Sequence, residues 1–241
     1  MSGHSKWNNI KHKKEKSDAA KAKIFTKIGK EMAVAIKAGG PDPAVNGKLR
    51  DLIAKAKANN VPNDNIQRTI KKFSDNSDIN YEEITYEGYG PSGVAIIVET
   101  STDNRNRTAG NVRAWFNKYG GNMGQNGCVG YLFEEKGVIT VIDEDEEIDE
   151  DKFMEDALEA GAEDFHSDEG EYTIYTAPAD LDAVCEKIIA LGYKIDTADV
   201  AKVPSTYVTL ENQDDIDNME KMLDKFNEDD DVNAVYHNWD N

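Results

Sequence analysis

Cysteine is nearly missing from this chain: Cys128 and Cys185 stand 57 residues apart, with no CxxC spacing. That scarcity excludes a disulfide framework and argues against a structural zinc site. Long apolar runs are missing too, and none approaches the ~20 residues that cross a bilayer. The opening Met1-Ser-Gly-His-Ser-Lys-Trp7 has no apolar stretch of the secretory kind, and Ser2 stands where myristoylation needs glycine. A reducing, cytoplasmic compartment is the expectation. Histidine is sparse, with His4, His12, His166 and His237 at no metal-ligand spacing, and no Ser/His/Asp or Cys/His grouping is present. No catalytic constellation emerges, so we expect a non-enzymatic protein with no cofactor, no metal, no small-molecule substrate and no membrane partner.

What the chain has is charge, unevenly placed. Residues 1–75 carry 17 Lys/Arg against 7 Asp/Glu, a net of +10. The remaining 166 residues carry 11 against 40, a net of −29, so the overall −19 conceals a basic head on an acidic body. A polyanion is attracted to one end of such a molecule and repelled by the rest, which points to nucleic acid as partner.

Helical periodicity begins near Asp18. Ile24, Ile28, Met32 and Ala35 share one face, and Lys23, Lys27, Lys30 and Lys37 fall roughly opposite. Gly39-Gly40 ends this helix, and Asp42-Pro43 offers an N-cap with proline at the first helical position. A second helix carries Leu49, Leu52, Ile53 and Ala56 to about Ala58. After Asn59-Asn60-Val61-Pro62 a third begins near Asn63, aligning Ile66, Ile70 and Phe73 with Arg68, Lys71 and Lys72 turned away. Gly39 to Gly47 is too long for the 3–4-residue turn of a helix-turn-helix.

Beyond a linker at 74–80 the period switches to two. Strands at 83–87 and 94–100 flank Gly88-Tyr-Gly-Pro-Ser-Gly93, a helix covers about 104–119, and Val129 to Phe133 reads as another strand. The glycines spell GxGxxG, but a strand follows them where a dinucleotide site needs a helix, so a wide hairpin is expected. From Val138 the pattern strand–helix–extended segment occurs twice, with helices stopped by Gly161 and Gly192. Two tandem β-α-β units fold most simply as a ferredoxin-like sandwich. After Pro204, strand 207–210, helix 214–226 and strand 233–236 supply a further β-α-β unit, expected to pack back on 81–134. The acidic run Asp143-Glu-Asp-Glu-Glu147 lacks the glycine of a calcium loop, and like Glu228-Asp-Asp-Asp231 it reads as solvated.

The fold expectation is therefore α+β: a three-helix N-terminal domain followed by two ferredoxin-like α/β sandwich domains, one inserted into the other. The boundaries are 1–75, 81–134 plus 204–241, and 135–203 for the insertion. Candidate nucleic-acid contacts are Lys6, Trp7, Lys11, His12, Lys13, Lys14 and Lys16 in the arm, Lys23, Lys27, Lys30 and Lys37 on the first helix, and Arg68, Lys71 and Lys72 on the third. Such clusters gain affinity by releasing counterions from phosphates, which distinguishes neither sequence nor DNA from RNA. Trp7 can stack on an exposed base or dock the arm on its own helices, and both remain open. A protein-interaction scaffold with a large acidic surface is the rival reading.

Several segments carry a resemblance. Gly3-His-Ser-Lys-Trp-Asn-Asn-Ile-Lys-His-Lys13, Lys23-Ile-Phe-Thr-Lys27, Gly39-Gly-Pro-Asp-Pro43, Asn60-Val-Pro-Asn-Asp-Asn-Ile66, Tyr86-Glu-Gly-Tyr-Gly-Pro91 and Thr102-Asp-Asn-Arg-Asn-Arg-Thr108 resemble the YebC/PmpR family. The resemblance implies a three-domain cytoplasmic α+β protein without known enzymatic activity. Bacterial members are described as DNA-binding transcriptional regulators. Relatives such as the mitochondrial translational activator of cytochrome c oxidase act on translation at the ribosome.

Overall fold

The computed structural model describes residues 18–74, 80–143, 147–168 and 170–240. The described residues form two compact units, one from 18–130 with 211–237 and the other from 131–210 with 238–240.

The first unit opens with helices α1 (Asp18–Gly39), α2 (Gly47–Ala58) and α3 (Asn63–Ser74). The apolar stripes meet in one core: Ile28, Met32, Ala35 and Ile36 from α1, Leu49, Leu52 and Ala56 from α2, and Ile66 from α3. The start of α2 differs from the expected cap. Asp42 holds a preceding turn, its carboxylate accepting Ala44 N–H at 2.9 Å. The N-cap is the buried Asn46, whose Oδ1 accepts Leu49 N–H at 3.1 Å. Its amide donates back to the carbonyls of Ala35 at 2.8 Å and Gly40 at 2.7 Å. One side chain thus satisfies groups at the end of α1 and the start of α2, which Asp42, an acceptor only, cannot do.

Strands β1 (Glu82–Tyr89) and β2 (Ala95–Thr102) form an antiparallel hairpin, followed by α4 (Arg105–Lys118) and the short β3 (Asn122–Met123). The GxGxxG run is the hairpin turn: Gly90 N–H donates to Val94 O at 2.7 Å. Gly88 serves close approach, since a Cβ there would lie 2.5 Å from Asn122 O and 2.9 Å from Phe116 Cε1. The strand expected at Val129–Phe133 is instead a 3-10 turn at Gly130–Leu132. The amides of Gly127, Val129 and Gly130 are drawn to the buried Glu87 carboxylate at 2.7–2.8 Å, out of reach of a ladder. Burial works to raise the Glu87 pKa, but those three donors outweigh it and hold the group below its ordinary value.

The second unit runs β4 (Phe133–Ile142), α5 (Glu150–Ala160), β5 (Asp164–Asp168), β6 (Glu171–Thr176), α6 (Leu181–Ala190), β7 (Thr197–Pro204) and β8 (Val208–Thr209). Its sheet has the order β5-β6-β4-β7, antiparallel throughout, which is the ferredoxin-like arrangement of two interleaved β-α-β units. Phe153 of α5 centres the core, with ring centroids 4.2 Å from Tyr193, 5.3 Å from Tyr172 and 5.6 Å from Phe165. Gly161 closes α5 at φ 114°, a conformation that disfavours any side chain.

The chain then returns to the first unit through α7 (Gln213–Glu228) and β9 (Val232–His237). Strand β9 pairs with β2, giving the order β3-β1-β2-β9, and α4 meets α7 at Phe116 and Phe226, 5.1 Å apart. This sheet is built around a central hairpin, a connectivity unlike that of the other sheet. The expected β-α-β unit after Pro204 is divided: β8 pairs in parallel with β10 (Trp239–Asp240) in a separate two-stranded sheet, while β9 joins β2. β9 is followed at once by a partner for β8, so the strand before α7 need not enter the sheet of the strand after it.

Candidate nucleic-acid interface

The arm residues Lys6, Trp7, Lys11, His12, Lys13, Lys14 and Lys16 lie outside the described residues. The remaining candidates separate into two groups with different surroundings.

Helix α1 has two packed faces. Opposite its own core it lies against β2 and β9, and three of its lysines reach the C-terminal end of α7. Lys23 Nζ donates to Glu228 O at 3.2 Å and Lys27 Nζ to Asn227 O at 3.2 Å. Lys30 Nζ donates to Asp230 O at 2.8 Å and to Asp231 Oδ1 at 2.7 Å. The last carbonyls of a helix lack intrahelical donors and carry the negative end of its dipole, so cations are stabilising there. Lys30 also sits 5.7 Å from the centroid of the Tyr81 ring, a cation–π distance.

Asp231 is the centre of this contact. It is buried, and its other oxygen, Oδ2, accepts Arg107 Nη2 at 2.7 Å, Thr108 Oγ1 at 2.8 Å and Thr102 Oγ1 at 3.2 Å. The irregularity that sets Thr100 opposite Val232 leaves Asp231 beside Ser101, whose N–H donates to Asp231 O at 2.8 Å. Burial alone would raise the Asp231 pKa. The donors Lys30, Arg107 and Thr108 outweigh it and hold the carboxyl at about 2. The hydrogen bonds that Arg107 donates to Asp231 and then to Asp103 push its pKa further above its already high value. Lys27 goes the other way: burial and then the neighbouring charge of Lys23 bring its ammonium down to about 8.

Lys37, at the far end of α1, is exposed and donates to the side chain of Asn80. Arg68, Lys71 and Lys72 are all exposed on α3. Arg68 reaches Asn65 Oδ1 at 3.5 Å, and Lys72 lies 5.1 Å from the Phe73 ring centroid. Helices α2 and α3 are joined by residues 59–62 alone, a turn of helix-turn-helix length. An open groove of about 350 Å³ runs along the junction of α3 with α1.

Sequence reasoning missed Asp231, Arg107, Thr102 and Thr108 as a cluster. Asp231 belongs to the acidic run read as solvated; its place directly ahead of an apolar strand was the available signal. No cluster of three or more His, Cys, Asp or Glu able to hold a metal is present among the described residues, and none of their helices is long and apolar enough to cross a membrane.

Comparison with known proteins agrees with this architecture. The family model "TACO1/YebC protein N-terminal domain" matches residues 5–76, and "TACO1/YebC second and third domain" matches 81–239. A "Probable transcriptional regulatory protein" of Agathobacter rectalis is 57% identical over 241 residues, covering all of both chains. One of the same description from Acetivibrio thermocellus is 55% identical over 240 residues, covering 99% of each. The crystal structure of a conserved hypothetical protein from Aquifex aeolicus superposes with a TM-score of 0.85 at 43% identity, covering 98% of this chain and 96% of that one. The relatives from Agathobacter rectalis and Acetivibrio thermocellus are named as probable regulators, and both match over essentially their whole length. The chain belongs to the TACO1/YebC family.

Proposed function

We propose that this protein is a non-enzymatic regulator of gene expression that acts by binding nucleic acid through its helical head. The observation that carries the reading is the exposed cationic face of α3, where Arg68, Lys71 and Lys72 stand clear of the acidic end of α7 that engages Lys23, Lys27 and Lys30. Phosphates would meet α3 and the basic arm, and the acidic body would repel the rest of the polyanion and so orient it. The relatives' names and the four-residue turn between α2 and α3 favour DNA and control of transcription. A second reading, contact with ribosomal RNA in translation, is favoured by the groove beside α3, which suits an unpaired base.

Ultraviolet crosslinking in living cells, followed by sequencing of the attached nucleic acid, tests both. Reproducible promoter DNA crosslinked through α3 supports the first reading, and ribosomal RNA supports the second. No nucleic acid above background would remove both in favour of a protein-binding scaffold.

A further inference from the structure

The groove between α1 and α3 has walls of mixed character. Phe25 and Met32 supply apolar surface from α1, and Asn65, Arg68 and Thr69 supply polar groups from α3. Its volume of about 350 Å³ is that of a small-ligand site, large enough for one planar ring system.

Gly29 lines the same groove, well inside the 22-residue helix α1. Glycine is the poorest helix-interior residue after proline, so its presence there needs a reason. Packing among the described residues supplies none, because a Cβ built at Gly29 meets none of their atoms within 4 Å. The other use of a glycine is to let a ligand approach the backbone. Charge limits what that ligand is. Arg68 stands at the rim with Lys71 and Lys72 further along α3, all exposed, so an anionic partner is complemented. An apolar helix seated here would bury Arg68, Asn65 and Thr69 with little beyond the long 3.5 Å contact of Arg68 with Asn65 to compensate them, which is unfavourable. A paired duplex has no free base to insert.

We propose that this groove is a nucleobase pocket for single-stranded nucleic acid. One unpaired base lies over Gly29 against Phe25, its polar edge meets Asn65 and Thr69, and the flanking phosphates meet Arg68, Lys71 and Lys72. The proposal rests on the nucleic-acid reading above and adds the strandedness and the seat of the base.

The test uses the full chain and three fluorescent probes of equal length: a single strand, the same strand with abasic central positions, and a duplex. The wild type should bind the ordinary strand about tenfold more tightly than the abasic one, the range expected for one stacked base. Gly29→Leu, which fills the groove, should abolish that preference while leaving abasic-strand affinity and its salt dependence unchanged. Asn65→Ala, at an exposed position, should reduce the preference and guards against misfolding of the first variant. A strand carrying a photoreactive pyrimidine should crosslink to the peptide containing Phe25 or Asn65. Equal binding of ordinary and abasic strands by the wild type overturns the pocket but spares the nucleic-acid reading if both lose affinity in an Arg68→Glu/Lys71→Glu/Lys72→Glu variant. A preference that appears only in Trp7→Ala overturns it by assigning the groove to the chain's own arm. Failure of all three probes to bind overturns the pocket and the nucleic-acid reading together.

Discussion

Two sets of cations in the head share one sequence pattern and differ in circumstance. Lys23, Lys27 and Lys30 of α1 and Arg68, Lys71 and Lys72 of α3 are both basic stripes lying away from an apolar stripe. The first set meets the carbonyl end of α7 and the Asp231 carboxylate, and the second lies in the open. Amphipathic periodicity separates a helix's core face from its other face, but it does not say whether that other face meets water or a second layer of protein. A lysine-rich stripe is therefore evidence of a polyanion site only after the protein's own anions have been placed.

The comparison can be broken most sharply at Asp231. Asp231→Asn removes the carboxylate that compensates Lys30 and Arg107, and unfolding in urea should show a loss of about 3–5 kcal/mol. A loss under 1 kcal/mol would put the α1 stripe on the same footing as that of α3. Next comes charge reversal on α3. Arg68→Glu/Lys71→Glu/Lys72→Glu should weaken oligonucleotide binding about 100-fold at low salt and make the slope of log affinity against log salt shallower by about 2–3, with the melting temperature little changed. Lys23→Gln/Lys30→Gln should do the reverse, lowering the melting temperature and leaving affinity within about twofold. Matching losses of affinity in the two variants would erase the distinction.

Titration sharpens the same contrast more gently. Asp231 has a folded pKa of about 2 against 3.8 ordinarily, so its stabilisation is complete above pH 4 and is lost as pH falls through 2. Unfolding curves of the wild type and Asp231→Asn should therefore converge across that window. Lys27 works with the opposite sign. With its pKa lowered from 10.5 to about 8, holding it charged costs stability at neutral pH, and that cost is relieved between pH 8 and 10.5. Its ammonium signal, followed by NMR of isotopically methylated lysines, should titrate near 8.

Much of the architecture was legible because it depends on period and punctuation. The stripe Ile28–Met32–Ala35 and the stops at Gly39 and Gly161 place helices from local sequence alone. The strand–helix repetition after Val138 likewise conveys the ferredoxin-like order. What stayed hidden depends on partners remote in sequence. Glu87 looks like one more polar residue on an alternating strand until the amides of 127–130 converge on it. Asn46 outcompetes Asp42 as a cap because it also donates to Ala35 and Gly40, which is a tertiary fact. Asp231 sits in an acidic run in which Glu228 and Asp230 are exposed, and only the fold singles it out.

The pairing of β2 with β9 has a consequence for synthesis of the chain. β2 is complete at residue 102, yet its partner and Asp231 emerge only at 231–237, after the whole 131–210 unit has been made. Until then β2 presents an open edge and Lys30 lacks the Asp231 carboxylate. The same late segment closes the sheet and fastens the head, so a chain cut short before residue 231 lacks both at once. A nascent chain thereby acquires its finished head only once β9 has been made, and until then it carries an open strand edge.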